Sequence, residues 1–99
     1  MNLLKLVARI VEKSALRYTP AGIPIASATL MHSSETREAN TVRQVEFEIS
    51  AMAAGEISQR FTEIALDQPM EFTGFLARKN RNSKSLVFHI TEFETHLLD

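Results

Sequence analysis

The chain has 99 residues, 44% hydrophobic and 23% charged, the make-up of one globular domain, expected over residues 1–99. It has no cysteine, which excludes disulfides, thiolate metal sites and a cysteine nucleophile, and no apolar run near the roughly 18 residues a membrane helix needs. Lys5 and Arg9 break the apolar N-terminus, so a signal peptide is not expected and a cytoplasmic protein is; the net charge of −1 argues against indiscriminate nucleic-acid binding by the whole surface.

Leu4, Leu6, Ala8 and Ile10 alternate with Lys5, Val7, Arg9 and Val11, a period-2 pattern that predicts a first strand over residues 3–12, with a helix as competitor. Residues 13–15 read as a kink, and Leu16 to Thr19 resume extended structure. Pro20, Gly22 and Pro24 then predict a hairpin turn, because proline fixes φ, removes an amide donor and disfavours helix before it, while glycine accepts a positive φ. Residues 25–32 form the second strand, with Ile25, Ser27, Thr29 and Met31 on one face and Ala26, Ala28, Leu30 and His32 on the other. Residues 33–40 are polar, without large apolar side chains, and are expected to be a mobile connector.

The clearest alternation covers residues 41–50: Val45, Phe47 and Ile49 face one way, Gln44, Glu46, Glu48 and Ser50 the other. The period then changes. Ile57, Phe61 and Ile64 fall at i, i+4, i+7 and predict a short amphipathic helix over residues 55–65. Met70, Phe72, Gly74 and Leu76 alternate with Glu71, Thr73, Phe75 and Ala77 as the fourth strand, where Gly74 marks a bulge or sharp curvature. A polar basic loop over residues 79–85 leads to a fifth strand, residues 86–93, with Leu86, Phe88, Ile90 and Glu92 sharing a face.

Three strands, a helix and two strands predict an all-β, five-stranded Greek-key barrel of the oligonucleotide/oligosaccharide-binding kind, the OB-fold, with the helix plugging the barrel. A half-open α+β sheet is the runner-up. Charge is unevenly spread along this pattern. Residues 74–91 hold four basic side chains, Arg78, Lys79, Arg81 and Lys84, and no acidic one, leaving seven basic and 12 acidic residues elsewhere. In an OB-fold, ligands cross the second and third strands between the loops joining strands one and two and strands four and five, and the basic loop is the latter. Cations at that rim can neutralise the phosphates of single-stranded nucleic acid. Arg17 and Tyr18 offer a cation and a stacking face at the opposite rim, and Arg43 a further phosphate contact. The aromatic supply is thin: Phe47, Phe72 and Phe88 fall in core phase, Phe75 is exposed or buried between subunits, and Glu46 and Glu48 repel phosphate. The residues thus describe a weak, electrostatically driven binder.

The run Arg17-Tyr18-Thr19-Pro20-Ala21-Gly22-Ile23-Pro24 resembles the R-x-[ST]-P-x-G-[IV]-P turn of the primosomal replication protein N (PriB) family. The likeness continues through Leu30-Met31-His32, Val42-Arg43-Gln44, Gly74-Phe75-Leu76 and Phe88-His89-Ile90. Bacterial single-stranded-DNA-binding protein (SSB) shares the fold and a similar turn. The resemblance implies a homodimer that binds single-stranded DNA, contacts the PriA helicase and a helicase-loading factor, and serves replication restart. It implies DNA contacts within residues 78–84 and at Arg17 and Arg43; where some members place a stacking Trp, this chain has Glu46.

Other readings differ in class. His32, His89 and His96 lie in no H-x-H or H-E-x-x-H motif, so an enzyme is not expected, nor a cofactor. Glu92, Glu94 and His96 share a strand face that fits solvent better than a metal. A protein-interaction barrel, whose basic loop docks an acidic partner and which binds DNA weakly or not at all, is the remaining alternative.

Overall fold

Leu6, Ala8 and Ile10 are buried while Lys5, Val7 and Arg9 face outward, so the N-terminal alternation becomes a strand, β1 (Leu4–Lys13), in the computed structural model, which describes residues 1–97. After it come β2 (Arg17–Tyr18), β3 (Pro24–Glu38), β4 (Thr41–Ala54), α1 (Ile57–Thr62), β5 (Met70–Arg78) and β6 (Leu86–Thr95). The sheet order is β1-β5-β6-β4-β3-β2, antiparallel except where β4 runs parallel to β6 over residues 50–52 and 87–89. Val11 is the extra residue of a bulge in β1, whose first half pairs with β5 and whose second half pairs with β3. That double pairing closes five strands into the expected OB-fold barrel.

The interior holds Leu6, Ile10, Leu30, Phe72, Phe88 and Ile90. β3 and β4 contribute alanines there (Ala26, Ala28, Ala51 and Ala53), and their small side chains leave room for the helix that packs on these strands. Phe61 of α1 fills the space: it is 1% exposed, with its ring 6.0 Å from Phe72 and 6.1 Å from Phe93. The helix is shorter than the apolar spacing predicts. Gly55 sits at φ 84 and donates its amide to Pro24 O, while Glu63 and Ile64 donate to Arg60 O and Phe61 O, tightening the exit to i→i−3 bonds. Ile64 is still buried, from the turn instead of the helix. Among the described residues no helix is long and apolar enough to cross a membrane.

Three expectations are corrected. Residues 33–40 are not a mobile connector: β3 and β4 pair without a break from Ile25↔Ala54 to Glu38↔Thr41, forming a two-stranded arm that outruns the barrel. The arm turns at Ala39 and Asn40, both in the left-handed region at φ 52 and 64, the backbone of a tight type I′ hairpin. Main-chain bonds hold it, and with water on both faces its side chains need no apolar alternation. The same arm explains Phe47, which has the phase of core residues Ile49 and Ala51 but lies where the barrel no longer covers β4, and is 39% exposed. Finally, Glu92 does not share the inward face of Phe88 and Ile90. β5 and β6 pair as Thr73↔Glu92 and then Gly74↔Ile90, so Thr91 is extruded, the phase flips, and Phe93 packs against the core.

Candidate nucleic-acid interface

Residues out of phase with the core form the outer face of β3, β4 and β6. Ser27, Thr29, Ser50, Met52, Val87 and His89 floor a cleft of about 330 Å³, whose walls include Arg17, Arg78 and Lys79. Arg17 reaches it because β2 pairs with the start of β3, as Arg17↔Ile25 and Tyr18↔Pro24. The connecting turn is held by Gly22 N–H donating to Thr19 O (2.8 Å) and Thr19 N–H donating to Ile23 O (2.9 Å). Gly22, at φ 85, supplies the conformation that turn requires.

Arg78 ends β5, and Lys79 opens the basic loop. Lys79 N–H donates to Ser85 O at 2.9 Å, closing the loop at its base. Inside it, Asn82 N–H donates to Asn80 Oδ1 (2.9 Å) and Ser85 N–H to Ser83 Oγ (3.0 Å), local turns in which short polar side chains replace backbone partners. Arg81 and Lys84 are exposed on this braced loop. Among the described residues the ion pairs are Lys5–Glu71, Arg9–Asp67 and Arg43–Glu38, so Arg17, Arg78, Lys79, Arg81 and Lys84 are not neutralised by a carboxylate within salt-bridge reach. One acid, Glu12, lines the cleft.

The other two predicted residues lie elsewhere. Tyr18 points away from Arg17, as neighbours in a strand do, into a shallow groove with Ile23, Pro24, Gly55 and Gln59. Arg43 sits on the arm opposite Thr36, outside the residues lining the cleft, and donates to Glu38 Oε1 at 2.6 Å. Continuing the floor along the arm leads to Met31 and Glu48, then Ser33 and Glu46, then Glu35 and Gln44, and at the tip Arg37 and Val42. The outer face is therefore basic at the loop end and acidic along the arm. His32, at the arm's root, has a structural place: Nδ1–H donates to Val7 O at 2.7 Å, leaving Nε2 to accept from the Ser34 hydroxyl at 2.8 Å.

Charge counting found the cations but missed the floor. The signal was present: Ser27, Thr29, Ser50, Met52 and His89 are the residues alternating against Ala28, Ala51 and Phe88, so once the barrel is assigned they must face out beneath the two loops. Small side chains there let a ligand approach the sheet, and the arrangement suits a flexible polyanion better than a small molecule needing enclosure.

Comparison with known proteins agrees with this shape. Residues 2–92 match the model of "Another single-strand binding protein family". Replication restart protein PriB of Bordetella pertussis is 39% identical over 93% of this chain and 86% of its own length. That of Nitrosomonas europaea is 41% identical over 84% and 77%. The structure of PriB from Ralstonia solanacearum superposes with a TM-score of 0.90, at 46% identity over 98% of this chain and 99% of that one. A small single-stranded DNA-binding protein from Streptomyces coelicolor shares the fold, with a TM-score of 0.75 at 15% identity over 98% and 97% of the two chains.

Proposed function

Since this chain belongs to the replication restart protein PriB family, we propose that it binds single-stranded DNA in the cleft between the Pro-Gly turn and the basic loop, as a non-catalytic accessory of replication restart. The observation that carries the reading is the convergence of Arg17, Arg78 and Lys79, without ion-pair partners among the described residues, on one sheet-floored cleft. Arg81 and Lys84 extend the positive rim toward solvent. Phosphates lie along these side chains and condensed counterions leave, so affinity falls steeply with salt. The protein acts as a homodimer in the cytoplasm, stabilises PriA helicase on DNA and recruits the helicase-loading factor.

The acids Glu35, Glu46 and Glu48 on the same outer face favour a second reading, in which protein contacts carry most of the role and DNA binding is weak. Electrophoretic shift on oligo-dT across a salt series separates the two. Three to five phosphate contacts give a log–log slope of about −2 to −3.5, at ~0.7 per contact for a single strand. Changing Arg17, Arg78 and Lys79 together to Ala flattens the slope by about 2. Binding that ignores salt, or no binding at low salt by folded protein, overturns the DNA reading. Sedimentation tests the homodimer: a mass near one 11.1 kDa chain refutes it.

A further inference from the structure

We infer that the bound strand leaves the cleft sideways, across β6 onto β5, and that Phe75, backed by His89, is a base-stacking platform at its exit. This deepens the single-stranded-DNA reading and rests on it. The floor of the cleft continues as one cross-strand row: Ser27 is paired with Met52, Met52 with His89, and His89 with Phe75. His89 itself lines the cleft. Its imidazole lies parallel to the Phe75 ring, with centroids 4.8 Å apart and planes 9° from coplanar. Such a pair is a ready-made stack, fixed by the strands that carry it and free of the entropy cost of ordering a mobile aromatic.

Phe75 is 38% exposed although it sits mid-strand among buried neighbours Phe72 and Gly74. Alternation along β5 points Phe72 and Gly74 inward and Phe75 outward, opposite His89, and no other ring of the protein stacks on the side away from His89 among the described residues. Charge fixes the direction. A strand following the floor along β3 and β4 would run past Glu48, Glu46 and Glu35, each a like charge to its phosphates. The path over β6 and β5 meets no acid before Phe75 and starts in the cleft that Arg78 and Lys79 line together with His89. The occupant is accordingly a nucleobase of the bound strand, stacked on Phe75 while its phosphates stay with Arg78 and Lys79.

Oligo-dT titration of Phe75→Ala and Phe75→Leu tests this, with an oligo of abasic sugars as comparison. Stacking on one aromatic is worth enough that Phe75→Ala weakens oligo-dT binding by roughly tenfold, with Phe75→Leu nearly as weak, while the salt slope stays that of the native protein. On the abasic oligo, native and variant proteins bind alike. An Ala variant that keeps native oligo-dT affinity, or loses affinity equally on both oligos, overturns the platform and leaves the cleft cations standing. A native protein that binds neither oligo overturns the DNA reading and this inference with it. Sedimentation of Phe75→Leu closes the remaining route: a changed mass places Phe75 between copies of the chain, where no base can reach it.

Discussion

Gly74 is the residue on which the geometry of β5 makes its sharpest demand. A Cβ built there points into the β6 backbone, overlapping His89 O and lying 3.0 Å from Ile90 Cα. Neither is the movable end of a side chain, so Gly74→Ala must push β5 and β6 apart at the bulge where Thr91 is extruded. Overpacking of this kind costs about 1–3 kcal/mol, and contact with backbone alone belongs at the upper end. Loss of glycine's freedom in the unfolded chain returns about 0.4–1 kcal/mol, leaving a net destabilisation near 2 kcal/mol. For a chain of this length that lowers the melting temperature by about 8–16 °C. Gly22→Ala is the control: nothing lies within 4 Å of its Cβ, and only the positive φ of 85 is penalised, at about 1–2 kcal/mol before the same return from the unfolded chain, a net loss of about 1 kcal/mol or less. Thermal unfolding followed by circular dichroism reads both variants. Should Gly74→Ala melt at or above Gly22→Ala, the close approach of the two strands is not what fixes this position.

The remaining predictions concern the core and the charges. Phe61→Ala empties the plug of the barrel and lowers stability by about 3–5 kcal/mol, seen as a fall in the urea midpoint; a loss under 1 kcal/mol means the helix does not fill the core. Glu46→Lys and Glu48→Lys together convert the acidic arm into a continuation of the positive rim, so oligo-dT binds more tightly and the salt slope steepens by about 1.4; unchanged binding means the strand never approaches the arm. Arg43→Ala, which removes only an exposed pair with Glu38, alters oligo-dT affinity less than twofold, against roughly fivefold for Arg78→Ala at low salt. Equal losses in that comparison place DNA on the arm.

What could be read from residues alone was whatever a core imposes. Leu6, Phe72, Phe88 and Ile90 announce their strands because one face must be apolar, and Ile57, Phe61 and Ile64 announce a helix for the same reason. The arm escaped because its order comes from main-chain hydrogen bonds and from two left-handed residues, one of them an alanine, which carries no turn signature. Phe47 misled by phase: alternation reports which side of a strand a residue occupies, not whether anything lies over it. Glu92 and Phe93 exchanged places because a single extruded residue, Thr91, inverts every later side chain, and nothing in composition marks it. In the cleft, charge identified Arg78 and Lys79, and the turn identified Arg17. Tyr18 was placed by adjacency to Arg17, a poor guide in strands, where neighbours face opposite ways, and Arg43 by its place at the start of a strand, which does not reveal that this stretch belongs to the arm.

The parallel joint between β4 and β6 spans three paired positions, far fewer than the antiparallel joints around it, and parallel pairing is the weaker kind per residue. It is a short seam in the cylinder, and Ser50, Met52, Val87 and His89, on its two lips, are also part of the floor of the cleft. Anything held there straddles the seam and acts as a clamp. Occupancy at a hundredfold excess over Kd would add about 2.7 kcal/mol to the closed form, felt first as slowed amide exchange along those lips.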